Sequence, residues 1–137
     1  MGKILLVDDH PEILRLLQFA LRNAGHTLFT AADGGAALEA IRAERPDVIV
    51  LDVVMPVLDG FRVLNRVKTD PELCNTVVIM LTARSHSEDV TLGLDIGADY
   101  YLCKPFRPEE IASLIRRIFE TRAAPNSTTP PADRART

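Results

Sequence analysis

Ile49-Val50-Leu51-Asp52-Val53-Val54-Met55-Pro56 is an apolar run broken by a single carboxylate. A stretch of Val, Ile and Leu without polar alternation reads as a strand buried on both faces. Such strands lie at the centre of parallel sheets, between layers of helix. Asp52 then falls where the central strand stops and the chain turns. In open α/β sheets that edge is where ligands bind. Pro56 stops the strand and leaves a short loop before Asp59-Gly60. Asp is also a common turn residue, so Asp52 alone does not separate a turn from a site. Its company does.

Before this run the chain shows the same unit twice. Lys3 to Val7 is an apolar strand ending in Asp8-Asp9. Pro11 suits the first turn of a helix. That helix reaches about Ala24 with Ile13, Leu14, Leu17, Ala20 and Leu21 on one face, and Gly25 closes it. Thr27 to Ala31 is a mixed strand, as expected near an edge. Asp33 caps a second helix burying Ala37, Leu38 and Ile41, and Pro46 ends it before a strand over Asp47 to Leu51. After the central strand, Phe61, Val63, Leu64 and Val67 mark a third helix, and Thr76 to Leu81 is another apolar strand, ending in Thr82-Ala83. A fourth helix starts at Ser87-Glu88-Asp89, carries Gly93 and closes at Gly97. Asp99 to Cys103 is the last strand and ends in Lys104-Pro105. Pro108 opens a fifth helix with Ile111, Leu114, Ile115, Ile118 and Phe119 at helical spacing. Five alternations of strand and helix predict an α/β fold with a parallel sheet and helices on both faces.

The 137 residues suit one domain, with 47% apolar and 26% charged residues. The domain is expected over residues 1–122. From residue 123 the chain is Pro, Ser, Thr, Ala and Arg without apolar periodicity, and reads as a disordered tail or the start of a linker. Two arginines against one aspartate give that tail +1, which leaves −4 of the net −3 on the domain. An acidic domain without a basic stripe argues against direct nucleic-acid contact. No apolar run reaches membrane-spanning length. Cys74 and Cys103 are too few for a disulfide framework or a zinc site, and a reducing, cytoplasmic compartment is expected.

Four polar signals follow apolar strands: Asp8-Asp9, Asp52, Thr82 and Lys104. A parallel sheet places all of them on one edge. Three carboxylates there raise one another's pKa, and a cation relieves the repulsion. Hard oxygen ligands suit Mg²⁺. Lys104 adds a point positive charge and Thr82 a hydroxyl. The combination suits holding a phosphoryl group on a carboxylate, with Asp52 as nucleophile.

The set Asp8-Asp9, Leu51-Asp52 with Met55-Pro56 and Asp59-Gly60, Thr82-Ala83, and Gly97-Ala98-Asp99-Tyr100 running into Lys104-Pro105-Phe106 resembles the receiver domain of two-component response regulators, over residues 3 to about 121. The resemblance implies a flavodoxin-like, doubly wound (βα)5 fold with strand order 2-1-3-4-5. It implies that Asp52 is phosphorylated from the phosphohistidine of a sensor histidine kinase or histidine phosphotransfer protein. Asp8, Asp9, Asp52 and the backbone carbonyl of Val54 would hold Mg²⁺. Lys104 would contact the phosphoryl oxygens. Thr82 and Tyr101 would be the switch pair, and Lys104-Pro105 a cis bond. The output surface would be the fourth helix, last strand and fifth helix. It would control a downstream protein or fused output domain, or form a phosphorylation-dependent homodimer. Such a chain is not an enzyme acting on external substrates. Val54 and Arg84 flank the expected phosphoryl position and would shield it, giving a long-lived phosphorylated state.

Other classes fit less well. A flavodoxin-type cofactor binder needs a Gly- and hydroxyl-rich loop after the first strand, where this chain has Asp8-Asp9-His10-Pro11. A haloacid-dehalogenase-type phosphatase needs a second Asp at position 54, which is Val. A receiver-like interaction module that is never phosphorylated would not need the full residue set. His10, His26 and His86 have no ligand spacing among them and read as solvated side chains, and Cys103 as a packed strand thiol. Tyr100 and Tyr101 face opposite sides of a regular strand, so only one can take part in a switch.

Overall fold

The computed structural model describes residues 2–53, 59–82 and 97–123. Five parallel strands, β1 (Lys3–Val7), β2 (Thr27–Ala31), β3 (Val48–Asp52), β4 (Val77–Thr82) and β5 (Tyr100–Cys103), form one sheet in the order β2-β1-β3-β4-β5. The described helices are α1 (Pro11–Leu21), α2 (Gly34–Glu44), α3 (Gly60–Thr69) and α4 (Pro108–Ala123). This is the flavodoxin-like topology expected from the sequence. The helix expected from Ser87, together with Val54, Met55, Pro56, Ala83, Arg84 and residues 124–137, lies outside the described residues.

Side-chain alternation divides the strands between two cores. Leu5, Val7, Ile49, Leu51, Val78, Met80 and Tyr101 pack with Ala37 and Ile41 of α2 and Val63, Leu64 and Val67 of α3. Ile4, Leu6, Val48, Val50, Ile79, Leu81 and Tyr100 pack on the other face with Leu17 and Leu21 of α1 and Ile111, Ile115 and Ile118 of α4. Tyr100 and Tyr101 therefore do face opposite sides. Every residue of β3 is buried, as a central strand requires. At the sheet's edge, β2 is only partly covered.

Local signals set the helix ends. Asp33 and Asp59 cap α2 and α3, their carboxylates accepting from the amides of Ala36 at 2.8 Å and Arg62 at 3.0 Å. Arg45 ends α2 in the left-handed region and donates its amide to the Ile41 carbonyl at 2.9 Å. The first helix stops at Leu21, three residues before the expected end, because the Ala24 amide bonds to the Leu21 carbonyl in a tighter turn and Gly25 then takes φ +81°. Three strands start one residue later than the apolar pattern suggests. For β3 the paired register begins at Val48, although the Asp47 amide donates to the Lys3 carbonyl at 2.8 Å, its carbonyl accepts the Val77 amide at 3.1 Å, and its carboxylate accepts the Lys3 amide at 2.9 Å.

Candidate functional site

Strand register lifts the site in steps across the sheet. Val7 pairs with Leu51, so Asp8 is level with Asp52. Asp52 pairs with Leu81, placing Thr82 one residue further along. Thr82 pairs with Cys103, placing Lys104 one further again. Each step is about 3.3 Å, so the lysine stands above the carboxylates and its long side chain reaches back to them. Backbone hydrogen bonds continue past the strand ends and fix this edge. The Asp8 amide donates to Ala31 at 3.2 Å, the Val53 amide to Leu81 at 3.0 Å and the Lys104 amide to Thr82 at 2.7 Å. The Lys104–Pro105 peptide is cis.

The side chains meet. Lys104 Nζ lies 2.9 Å from Asp8 Oδ2 and 3.3 Å from Asp52 Oδ1. Asp8 is fully buried and Asp52 is 4% exposed. The other oxygen of Asp8, Oδ1, accepts the His10 amide at 2.9 Å and faces His10 Nδ1 at 3.0 Å. The same nitrogen lies 3.1 Å from Asp9 Oδ1, which is shielded from solvent and makes no further hydrogen bond among the described residues. Asp8 thus divides the site, with an ammonium on one side and an imidazole on the other.

The electrostatics follow from this crowding. Burial, then the Asp8 charge, pushes the Asp52 carboxyl above its ordinary range, against the pull of Lys104. The sequence points to repulsion as the cause, but burial is the larger one. Burial alone would lower the Lys104 pKa. The hydrogen bond to Asp8 and the attraction of Asp52 and Asp8 outweigh it, so the ammonium is held more firmly than usual. His10 is raised by its hydrogen bond to Asp8 and by the charges of Asp9 and Asp8.

A divalent cation fits here. Ligand atoms of Asp8, Asp9, His10 and Asp52 all lie within 4.8 Å of one another, and Asp9 Oδ1 is a shielded anionic oxygen without a hydrogen-bond donor among the described residues.

The response regulator receiver domain model matches residues 4–116. The chain belongs to that family. It is 42% identical over 127 residues to the alkaline phosphatase synthesis transcriptional regulatory protein PhoP of Bacillus subtilis, covering 91% of this chain and 52% of that protein. It is 39% identical over 114 residues to the DNA-binding response regulator MtrA of Mycolicibacterium smegmatis, covering 83% of this chain and 49% of that protein. The chain spans about half the length of these curated relatives. Among solved structures, the chemotaxis response regulator CheY4 of Vibrio cholerae superimposes with a TM-score of 0.81 at 37% identity, over 86% of this chain and 98% of that one.

Within this receiver domain the structure brings together Asp8, Asp9, Asp52 and Lys104 of the expected residues. Thr82 is buried at the end of β4, on the face of the sheet shared with Tyr101. Tyr101 is fully buried against the α2–α3 side. Val54 lies outside the described residues. Two positions were not legible as site residues. His10 is exposed, as the sequence suggests, and its ring nitrogen also contacts two carboxylates of the site. The signal was its place directly after Asp8-Asp9. The reading of His26 does need correction: it is half-buried, stacks on Phe119 at 4.5 Å between ring centres, and accepts the Gly2 amide at 3.1 Å. Burial holds its pKa down. His86 lies outside the described residues. Gly60 is the second missed position. A Cβ there would fall 2.2 Å from the Asp52 carbonyl oxygen, so only glycine lets α3 begin this close behind the central aspartate.

Proposed function

We propose that this receiver domain accepts a phosphoryl group on Asp52 from the phosphohistidine of a sensor histidine kinase or histidine phosphotransfer protein. The observation that carries the reading is the contact of one ammonium, Lys104, with two buried carboxylates from different strands, Asp8 and Asp52. In the transfer, an Asp52 oxygen bonds to phosphorus as the phosphorus–nitrogen bond to the donor imidazole breaks, leaving an acyl phosphate and a free histidine. Such a step needs little beyond in-line positioning and charge neutralisation. Lys104 supplies part of that charge. Asp8, Asp9 and Asp52, with the Val54 carbonyl, would hold Mg²⁺, which would supply countercharge for the phosphoryl oxygens.

The new group adds about −1.5 to −2 charge and three acceptor oxygens. Thr82 hydrogen-bonds to them and Tyr101 moves with it, altering the surface formed by the segment after Thr82, β5 and α4. That surface controls a downstream protein or fused domain, or pairs with a second copy. Relatives named as transcriptional regulators support a transcriptional output. Residues 123–137 would then lead toward it, and the acidic receiver itself would make no nucleic-acid contact. The domain is a phosphoacceptor in the cytoplasm rather than an enzyme acting on external substrates. Val54 and Arg84 prolong the phosphorylated state by limiting water.

Intact-protein mass spectrometry after incubation with acetyl phosphate tests this. A single Mg²⁺-dependent phosphoryl adduct is expected, absent from Asp52→Ala. No adduct on a folded sample would favour an interaction module that is never phosphorylated. Loss of the label as fast as free acetyl phosphate hydrolyses would contradict the long-lived state.

A further inference from the structure

A cavity of about 560 Å³ opens between α1 and α4. Ala20 of α1, Ala24 just beyond that helix, and Ala112 and Phe119 of α4 line it. Three alanines leave a space between the elements that longer side chains would fill. The Phe119 ring is held by its stacking on His26, so that wall is preformed. Beside the opening stands Phe19, the one large hydrophobic side chain that is exposed among the described residues, at 54%. Ala20, next to it in sequence, and Asn23, one turn on, both line the cavity. The Arg22 guanidinium lies over the Phe19 ring at 4.1 Å from its centre and has no carboxylate partner among the described residues. Aromatic and arginine side chains are the residues in which protein interfaces are enriched. The rim carries both signs of charge. Arg116 and Glu120 line the same cavity one helical turn apart, both exposed, and neither makes an ion pair or hydrogen bond among the described residues. A cation placed before an anion is the weaker order for pairing within one helix.

We propose that the α1–α4 groove is a contact between two copies of this chain, in which Phe19 of each copy fills the cavity of the other and Arg116 of each pairs with Glu120 of the other. The patch is self-complementary, as a twofold contact requires: an apolar knob beside an apolar hole, and a cation beside an anion. A twofold axis between them satisfies both pairs at once, and only a partner with the same knob, hole and charges does so. Filling the cavity takes the Phe19 ring and the alanine-lined wall out of water together. This contact uses the side of α4 that faces α1, apart from the surface of β5 and the segment after Thr82 invoked in the proposed function. None of its residues touches Asp52, so the pairing does not depend on the phosphoryl group.

The test is sedimentation equilibrium of the unphosphorylated chain at concentrations up to about 1 mM, on wild type, Asp52→Ala, Phe19→Ser, Arg116→Glu, Glu120→Arg and the double charge reversal, with circular dichroism to confirm that each is folded. A dimer is expected in wild type, with the same dissociation constant in Asp52→Ala. Phe19→Ser should weaken it about tenfold or more. Each single reversal should also weaken it, because like charges then face each other across the twofold axis, and the double reversal should restore it. A wild type that stays monomeric throughout overturns the proposal and leaves the cavity to a partner other than this chain. A dimer that Phe19→Ser leaves unchanged overturns it too, since the copies then meet through another face. Single reversals that the double reversal does not rescue contradict the pairing of Arg116 with Glu120.

Discussion

Lys68 and Lys104 look alike by burial and pairing, with side chains 12% and 15% exposed and a carboxylate oxygen at 2.9 Å in each case. Their surroundings differ. Lys68, at the opposite end of the sheet, donates to the carbonyls of Cys74 at 3.2 Å and Thr76 at 2.6 Å and to Asp99 at 2.9 Å. An ammonium has three donors, so Lys68 is fully used. Asp99 in turn accepts the Val78 amide at 2.9 Å. This is a closed tie between α3, β4 and the approach to β5. Lys104 instead faces two buried carboxylates and keeps donor capacity among the described residues, with a further carboxylate, Asp9, on the other side of Asp8. A buried salt bridge does not mark a site. Unbalanced charge beside an unused donor does, because that is where an incoming group gains most.

Lys68→Met should break this comparison most visibly. It strands Asp99 and two carbonyls and should cost about 3 kcal/mol in denaturant unfolding, while phosphoryl uptake by the molecules that remain folded stays normal. Lys104→Met should do the reverse to uptake, slowing it severely. Equal effects of the two variants on uptake would erase the distinction. Gly60→Ala should follow, at about 1–3 kcal/mol for a methyl group forced onto the Asp52 backbone, with slower uptake because the displaced atoms carry the acceptor.

Asp52→Asn should move stability the other way. The folded carboxyl has a raised pKa, so the native state holds that proton more tightly than the unfolded chain does. Stability from this group is present at low pH and is lost as pH rises through the raised value. Removing the charge should therefore raise the melting temperature by a few degrees at neutral pH, and the gain should disappear on acidification below the usual carboxylate range. In the wild type, uptake should fall on acidification at a higher pH than an ordinary carboxylate would give. The smallest effect belongs to the exposed pair Arg45–Glu72 at 2.8 Å, with side chains 64% and 66% exposed. Its removal should change stability by less than about 1 kcal/mol.

The fold was legible because unbroken apolar strands and 3.6-period helices alternate without interruption, and the site because each strand ends in a polar residue. Strand boundaries missed by one residue, since ladder pairing rather than hydropathy decides whether Asp47 or Asp52 joins β3. His10 was missed because its partners are its own two neighbours, which no metal-ligand spacing template describes. Lys68 was invisible for another reason: two of its acceptors are backbone carbonyls, and the third, Asp99, is 31 residues away. Gly60 stood in a recognised Asp-Gly pair, but its approach to the Asp52 carbonyl exists only once the loop between them has closed.

The most direct test is borohydride trapping after incubation with acetyl phosphate, followed by peptide sequencing on a mass spectrometer. Borohydride reduces an acyl phosphate to an alcohol, so a phosphorylated aspartate is read out as homoserine. The account predicts homoserine at position 52 alone, formed only when a divalent cation is present. Homoserine at position 8 or 9, or none from a folded and cation-loaded protein, would contradict it.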